Sequence, residues 1–214
     1  MKCIKTVLIL MLVLVSCKEE VIDKSKVLPF FNSSDFTPEW ILPSSDEYDE
    51  IHTIAPFSFT NQNGKTITNN DYKDKIYVAD FFFTTCPGIC PRLTKNMNIL
   101  QDEFENDEEL MLLSHTVMPW VDTVDKLKEF ASNNQVIDSK WNLVTGERDE
   151  IYKIARNSYF ADEDFVKTKD ESAFIHTENF LLIDKKGRVR GVYNGTLEIE
   201  TKRLLKHIEL LKEE

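Results

Sequence analysis

The sequence predicts an α/β fold in which a mixed central sheet is flanked by helices, with an added hairpin at its N-terminal end. A nearly continuous apolar run from Ile76 to Phe83 is typical of a strand that is buried on both faces. Segments with helical spacing alternate with short apolar runs after it. Two turn signals, at 63–64 and 184–187, each separate a pair of β-prone runs. The chain of 214 residues is long enough for one domain of ordinary size, or for two small ones.

The individual elements follow from the periodicity of apolar residues. The predicted strands are short apolar or β-branched runs, and they lie at 56–60, 65–68, 76–83, 110–117, 141–144, 180–183 and 188–193. The predicted helices repeat apolar residues three or four positions apart, and they lie at 93–104, 123–133, 147–157 and 197–211. Asp122 or Thr123 is the expected N-cap of the second helix.

Charge and composition exclude several classes of protein. The chain has 26 Lys and Arg against 37 Asp and Glu, a formal net charge of −11. Affinity for nucleic acid depends on basic clusters, so a nucleic-acid partner is not expected. The same balance argues against attachment to anionic lipid through charge alone. Because the only long apolar run is at the extreme N-terminus, a polytopic membrane protein is excluded.

The N-terminus has the organisation of a bacterial lipoprotein signal. A basic start precedes an apolar stretch that is too short to span a membrane. The sequence Leu14-Val15-Ser16-Cys17 resembles a lipobox, whose cysteine carries the lipid after cleavage; the alternative is an uncleaved anchor. We predict a signal peptide at 1–16, a lipidated Cys17 with a tether at 17–50, and a folded domain at 51–214. Such a protein is anchored to a membrane of the bacterial cell envelope, with its domain outside the cytoplasm.

Cys86 and Cys90 are the two thiols that remain in the mature chain. They lie between the buried strand and the helix at 93–104, where helix N–H groups favour thiolate over thiol. If the loop is coiled like a helical turn, the C-x-x-x-C spacing places both sulfurs on one face. They can then close a disulfide or converge on one soft metal ion such as Cu(I). In an exported protein, a structural disulfide, a redox couple and a metal site all remain open.

A site of two sulfurs usually requires another ligand, and the chain has four histidines. His207 stands among basic residues of the last helix, which favours a solvated or capping role. Nothing ties His52 to the thiols. His115 lies in or just after a strand that should neighbour the cysteine strand, which makes it a candidate for a position near the site. His176 precedes the strand at 180–183, and pattern alone favours a plain loop histidine over a ligand.

The motif Cys86-Pro87-Gly88-Ile89-Cys90-Pro91 resembles the C-P-x-x-C-P motif of the SCO/SenC family. The motif follows an aromatic strand and a Thr pair, as in that family. His176-Thr177 precedes an aliphatic strand and an Asp-x-x-Gly turn, as the copper-ligand histidine of the family does. The resemblance covers about residues 52–212 and is specific, because motif, histidine and hairpin agree.

The resemblance implies a thioredoxin-like fold and a copper site formed by Cys86, Cys90 and His176. It also implies that the two cysteines are a redox pair able to form a disulfide. The expected function is assembly of the binuclear copper site of cytochrome c oxidase, by delivery of copper or by reduction of that site's cysteines. The expected partners are the copper-site subunit of the oxidase and a thiol reductant protein.

The sequence departs from the family pattern at one position and leaves rival functions open. Many members carry Ser-x-Asp-Pro after the third core strand, whereas this chain has no Asp before Pro119. Contacts around the thiols are therefore expected to differ, and His115 is not counted as a ligand. The main alternative is a membrane-anchored thiol–disulfide oxidoreductase without a metal. A peroxidase using Arg92 and Thr85 and a purely structural disulfide are further alternatives.

Overall fold

The computed structural model describes residues 22–162, 168–170 and 173–214. The predicted signal peptide and Cys17 lie outside the described residues. Seven strands form one sheet: β1 (Ser58–Asn61), β2 (Thr66–Thr68), β3 (Ile76–Phe82), β4 (Leu110–Thr116), β5 (Trp141–Thr145), β6 (Asn179–Ile183) and β7 (Val189–Asn194). Four longer helices accompany it in these ranges: α1 (Cys90–Glu103), α2 (Val124–Asn133), α3 (Arg148–Asn157) and α4 (Glu198–Glu213).

The sheet is mixed, with the strand order β2-β1-β5-β4-β3-β6-β7. The three central strands β3, β4 and β5 are parallel, and both hairpins pair in the antiparallel sense. The glycines of the two predicted turns, Gly64 and Gly187, have φ of +73° and +77°, a conformation that strongly favours glycine. The predicted α/β fold with its N-terminal hairpin is confirmed.

The core consists of two apolar clusters, one on each face of the sheet. Alternate residues of β3 divide between them, with Val78 in one cluster and Tyr77 in the other. The first cluster takes side chains from α1, α2 and α4, and the second takes side chains from α3. Helices therefore cover both faces, which explains why β3 is buried along its whole length.

The N-terminal segment differs from the tether predicted at 17–50. Leu28 and Phe30 are buried, and the backbone N–H of Phe31 donates to the carbonyl of Val189 at 3.0 Å. The Arg190 guanidinium donates to the carbonyl of Leu28 at 2.7 Å. The segment from about residue 28 is thus packed on the domain. A polar stretch without periodicity does not reveal such contacts, because they depend on partners more than 150 residues away.

No helix in the described part of the chain has the length and the apolar character needed to cross a membrane.

Candidate metal centre

Cys86 and Cys90 lie where β3 leads into α1. The parallel strands β3, β4 and β5 all end at this side of the sheet, which we call the thiol edge. Cys86 is in the connecting loop, and its N–H donates to the carbonyl of Phe83 at 3.3 Å. Cys90 is the first residue of α1, which begins three residues earlier than predicted. Pro91 permits this start, because a missing N–H costs little in the first turn of a helix.

The Cys86 thiol is partly exposed and lies against the N-terminus of α1. Burial alone would raise its pKa, but hydrogen bonds from the backbone of Cys90, Gly88 and Ile89 and from the Cys90 thiol outweigh that effect. The pKa of Cys86 is therefore lower than its ordinary value. This is the environment expected of a nucleophilic thiolate.

The Cys90 thiol has the opposite character. It is buried, and burial raises its pKa to about 12, with further contributions from the Cys86 thiol and from the Asp80 carboxyl. Both cysteines are free, and their side chains are within hydrogen-bond reach of each other. The C-x-x-x-C spacing thus brings the two sulfurs together, as the sequence predicts. One thiol is accessible and the other is protected.

Asp80 is a buried acidic residue that the sequence analysis did not identify as a neighbour of the thiols. It lies inside β3, on the face that packs against α1, and only 2% of it is exposed. Its Oδ1 has no hydrogen-bond partner within the described residues. Burial raises its pKa to about 7, although a hydrogen bond from Ser114 opposes the shift. A carboxylate within an otherwise apolar buried strand is the sequence signal that identifies it.

Asp122 fixes the thiol loop to the end of β4. It is fully buried and accepts hydrogen bonds from the Thr84 N–H at 3.1 Å and from the Thr84 hydroxyl at 2.5 Å. The Thr116 hydroxyl also donates to it. Thr123, not Asp122, is the N-cap of α2, accepting from the Lys126 N–H. Asp122 thus ties the start of the thiol loop to the end of β4, and the expected difference from the family around the thiols stays a prediction.

His176 lies in the loop before β6, with its imidazole exposed. Because β6 runs antiparallel to β3, this loop also reaches the thiol edge. The ring of Phe174 contacts that of Phe83 edge-on, with 5.5 Å between centroids. Across 22–162, 168–170 and 173–214, however, no three His, Cys, Asp or Glu side chains are grouped so as to hold a metal ion. The structure pairs the thiols and brings the His176 loop to their edge, and His176 as third ligand stays a prediction.

The other histidines lie away from the thiols. His115 is on the opposite sheet face from Cys90, fully buried and stacked on Phe81 at 5.1 Å. His52 contacts the carbonyl of Ser158, at 2.9 Å from Nε2. Nδ1 of His207 shares a hydrogen bond of 2.8 Å with the Tyr193 hydroxyl, so this residue is bonded rather than purely solvated.

Comparison with known proteins agrees with this geometry. The family model SCO1/SenC matches residues 45–212. The SCO1 protein homolog of Bacillus subtilis is 34% identical over 146 residues, which cover 67% of this chain and 75% of that protein.

Two solved structures are similar over most of the domain. A SCO1/SenC family lipoprotein from Bacillus anthracis superposes with a TM-score of 0.65 at 31% identity, covering 75% of this chain and 95% of that one. BsSco, described as having a disulfide switch and as a member of the Sco family of cytochrome c oxidase assembly proteins, superposes with a TM-score of 0.63 at 30% identity, covering 74% and 92%. These similarities confirm the thioredoxin-like fold and show that the chain belongs to the SCO1/SenC family.

Proposed function

We propose that this chain binds copper through Cys86, Cys90 and His176 and takes part in assembling the binuclear copper site of cytochrome c oxidase. The observation that carries the proposal is the pair of free, adjacent thiols at the N-terminus of α1. Copper is the cargo of such a protein. Family membership and the description of BsSco as an oxidase assembly protein support the same function.

The donor set fits copper. Thiolates are soft ligands and select Cu(I) over hard cations. The backbone N–H groups around Cys86 stabilise its thiolate, and a bound cation would stabilise the thiolate of Cys90 against the cost of burial. A neutral imidazole from His176 would complete three ligands and would also suit Cu(II). The exposed position of His176 leaves its ring nitrogens accessible to an ion.

The two thiols also support electron transfer to a protein disulfide. The Cys86 thiolate attacks one sulfur of the partner's disulfide, forming a mixed disulfide and releasing the partner's other sulfur as a thiolate. The Cys90 thiol loses its proton and attacks Cys86 in turn, which releases the second partner sulfur. This chain loses two electrons and forms the Cys86–Cys90 disulfide, and the partner gains two electrons and becomes a dithiol. The accessible Cys86 and the protected Cys90 fit these two roles.

A thiol–disulfide oxidoreductase without a metal is the second candidate function. The unequal environments of the two thiols favour it as much as they favour copper transfer, and BsSco is described as having a disulfide switch. His176 separates the two functions, because thiol exchange alone does not require this imidazole.

A copper titration of the reduced domain tests the proposal. We expect one copper ion per chain in the wild type, loss of tight binding in Cys86→Ser and Cys90→Ser, and affinity weakened by about tenfold or more in His176→Ala, since a protein ligand is removed. His52→Ala is the matched control, since its imidazole is bonded elsewhere, and it should bind copper as the wild type does. Equal affinity in the wild type and His176→Ala would reject the three-ligand site.

We further propose that the domain is held at a membrane of the bacterial envelope by lipid on Cys17. The lipobox-like Leu14–Cys17 supports this, as does the Bacillus anthracis relative described as a lipoprotein. Cys17→Ala should move the full chain from the membrane fraction to the soluble fraction. An unchanged membrane fraction would contradict lipid anchoring at this residue.

A further inference from the structure

Large hydrophobic side chains are exposed in one region of the described structure. Four such residues are more than one third exposed: Trp120 (55%), Phe174 (42%), Leu197 (47%) and Ile199 (69%). Exposed apolar residues that occur singly need no explanation, but a group at one place indicates an interaction surface.

The sheet topology places all four at the thiol edge. Trp120 follows the carboxyl end of β4, which is parallel to β3. Phe174 precedes β6, which is antiparallel to β3, so this loop lies at the same side. Leu197 and Ile199 follow the end of β7, where Asn194 pairs with Asn179 at the start of β6. The four residues come from three separate connections that meet at the edge carrying Cys86.

Direct contacts tie two of these connections to the thiol loop. Phe174 contacts Phe83, whose carbonyl accepts from the Cys86 N–H. The turn that carries Trp120 ends at Asp122, which holds Thr84 through two hydrogen bonds. The hydrophobic side chains thus lie on two sides of the accessible thiol.

The third connection contacts the first turns of α1. The Asn96 side-chain amide donates to the carbonyl of Gly195 at 2.6 Å. A Cβ built on Gly195 would lie 2.7 Å from the side chain of Leu93, which shows how closely the two segments approach. Leu197 and Ile199 are therefore held next to the helix whose N-terminus carries Cys90.

Two carboxylates beside Leu197 and Ile199 are paired with basic residues of the same helix. Glu198 pairs with Lys202 at 2.9 Å, and Glu200 pairs with Arg203 at 2.5 Å. Although the whole chain carries a net charge of −11, both carboxylates in the first turn of α4 are ion-paired beside these apolar side chains. A partner recognised here needs apolar surface rather than a strongly basic face.

We propose that Trp120, Phe174, Leu197 and Ile199 form the docking surface for the folded protein that exchanges thiols with Cys86, and that this partner presents apolar surface around its own cysteine pair. The inference rests on the proposed thiol chemistry and adds the surface that selects the partner. A protein disulfide must come within bonding distance of the Cys86 sulfur, and any folded protein that does so covers the surrounding edge. Apolar contacts there hold the two proteins together while the mixed disulfide forms and resolves.

The test compares a protein substrate with a small one. The protein probe is the purified soluble domain of a cytochrome c oxidase subunit with a two-cysteine copper site, prepared with that pair as a disulfide. The small probe is oxidised glutathione. In the triple variant Trp120→Ser, Leu197→Ser, Ile199→Ser we expect at least a tenfold slower reaction with the protein and a rate within twofold of the wild type with glutathione. The control Ile41→Ser, on the opposite side of the domain, should match the wild type with both.

The possible results distinguish failure of the docking surface from failure of the copper site. A protein rate within twofold of the wild type in the triple variant overturns the inference, and if that variant fails to fold, Trp120→Ser alone is judged by the same comparison. A wild type that binds copper but does not react with the oxidase domain also overturns it, while the metal site stands. A wild type that reacts but binds no copper rejects the copper site and keeps the docking surface. Self-association that the triple variant abolishes, with an unchanged protein rate, would assign the surface to a second copy of the chain.

Discussion

The two edges of the central sheet are built in opposite ways. At the edge opposite the thiols, which we call the turn edge, the β6–β7 turn, the N-terminal segment and the end of α4 meet. Buried ion pairs hold them together: Arg188 and Arg190 contact Asp184, and Arg190 also contacts Glu214 at 2.5 Å. Buried carboxylates also lie at the thiol edge, where Asp122 holds Thr84 and the Asp162–Arg156 pair reaches the carbonyl of Ala173. This edge nevertheless leaves hydrophobic side chains and one sulfur accessible.

This difference between the two edges suggests that the turn edge contributes mainly to stability and the thiol edge mainly to reactivity. The turn edge satisfies its charges internally and is covered by the N-terminal segment, so little of it is available for chemistry. The thiol edge keeps ionisable groups that are costly to bury, including the thiol of Cys90 and the carboxyl of Asp80. Changes at the turn edge should therefore affect folding, and changes at the thiol edge should affect reactivity.

The largest expected effect is on stability, from Arg190→Met. Its guanidinium is 3% exposed and contacts two carboxylates and two backbone carbonyls. Removing one partner of a buried ion pair leaves uncompensated charge, at a cost of about 3–5 kcal/mol in the free energy of unfolding. Urea unfolding measures the effect. Alkylation rates of the thiols in the folded variant should not change.

Lys202→Met is the control for this prediction. Lys202 pairs with Glu198 on the surface, where both side chains are more than half exposed, so no measurable loss of stability is expected. Equal unfolding midpoints for Arg190→Met and Lys202→Met would show that the buried pairs do not stabilise the turn edge.

The second prediction concerns the two sulfurs. The pKa of Cys86 lies below its ordinary value and that of Cys90 is about 12, so their thiolate populations at pH 7 differ by more than about 1000-fold. The Cys90 thiolate is more basic and therefore more nucleophilic, which offsets about half of this difference on a logarithmic scale. Cys86 should still react about 30-fold faster or more. Timed alkylation with iodoacetamide, followed by peptide mass spectrometry, measures both rates. Equal alkylation rates would contradict the difference between the two thiols that makes Cys86 the attacking residue and Cys90 the resolving one.

The third prediction is a dependence of stability on pH that arises from His115, which is buried in the core on the sheet face opposite Cys90. Burial lowers its pKa to about 3, and an interaction with the Asp80 backbone opposes the shift only in part. In the unfolded chain its pKa is about 6.5, so below that pH the unfolded state binds more protons and stability falls as pH decreases. From pH 6 to 4.5 the loss attributable to this group is about 2 kcal/mol.

His115→Phe removes that titration and keeps an aromatic ring against Phe81 and Phe59. Urea unfolding of both proteins at pH 7, 6 and 4.5 should show curves that diverge only on the acid side, with the variant more stable there. Parallel losses in the two proteins would mean that His115 is not buried as a neutral ring.

Local sequence patterns predicted the strands, helices and turns well, because each of these elements is determined by residues close together in the chain. The Asn-Gly and Asp-x-x-Gly turns fix the two hairpins through positive φ, and the apolar run from Ile76 fixes the central strand. The junction of that strand with a helix was enough to place both thiols at the thiol edge. The packing of residues 28–50 was missed, because those contacts depend on residues distant in sequence.

The surroundings of the thiols could not be predicted for a similar reason. Asp122 acts on Thr84 across 38 residues, and the face on which His115 lies depends on strand register. A one-residue change of register would have turned His115 towards the cysteine face. The prediction that His176 is a ligand rests on family resemblance, and the structure adds that its loop reaches the thiol edge.

X-ray absorption spectroscopy of the copper-loaded, reduced chain reports the atoms bound to the metal and so decides whether His176 joins Cys86 and Cys90 as a ligand. We expect two sulfur ligands and one imidazole in the wild type, with the imidazole signature absent in His176→Ala and retained in His52→Ala. A wild-type spectrum with sulfur ligands only, identical to that of His176→Ala, would contradict this expectation.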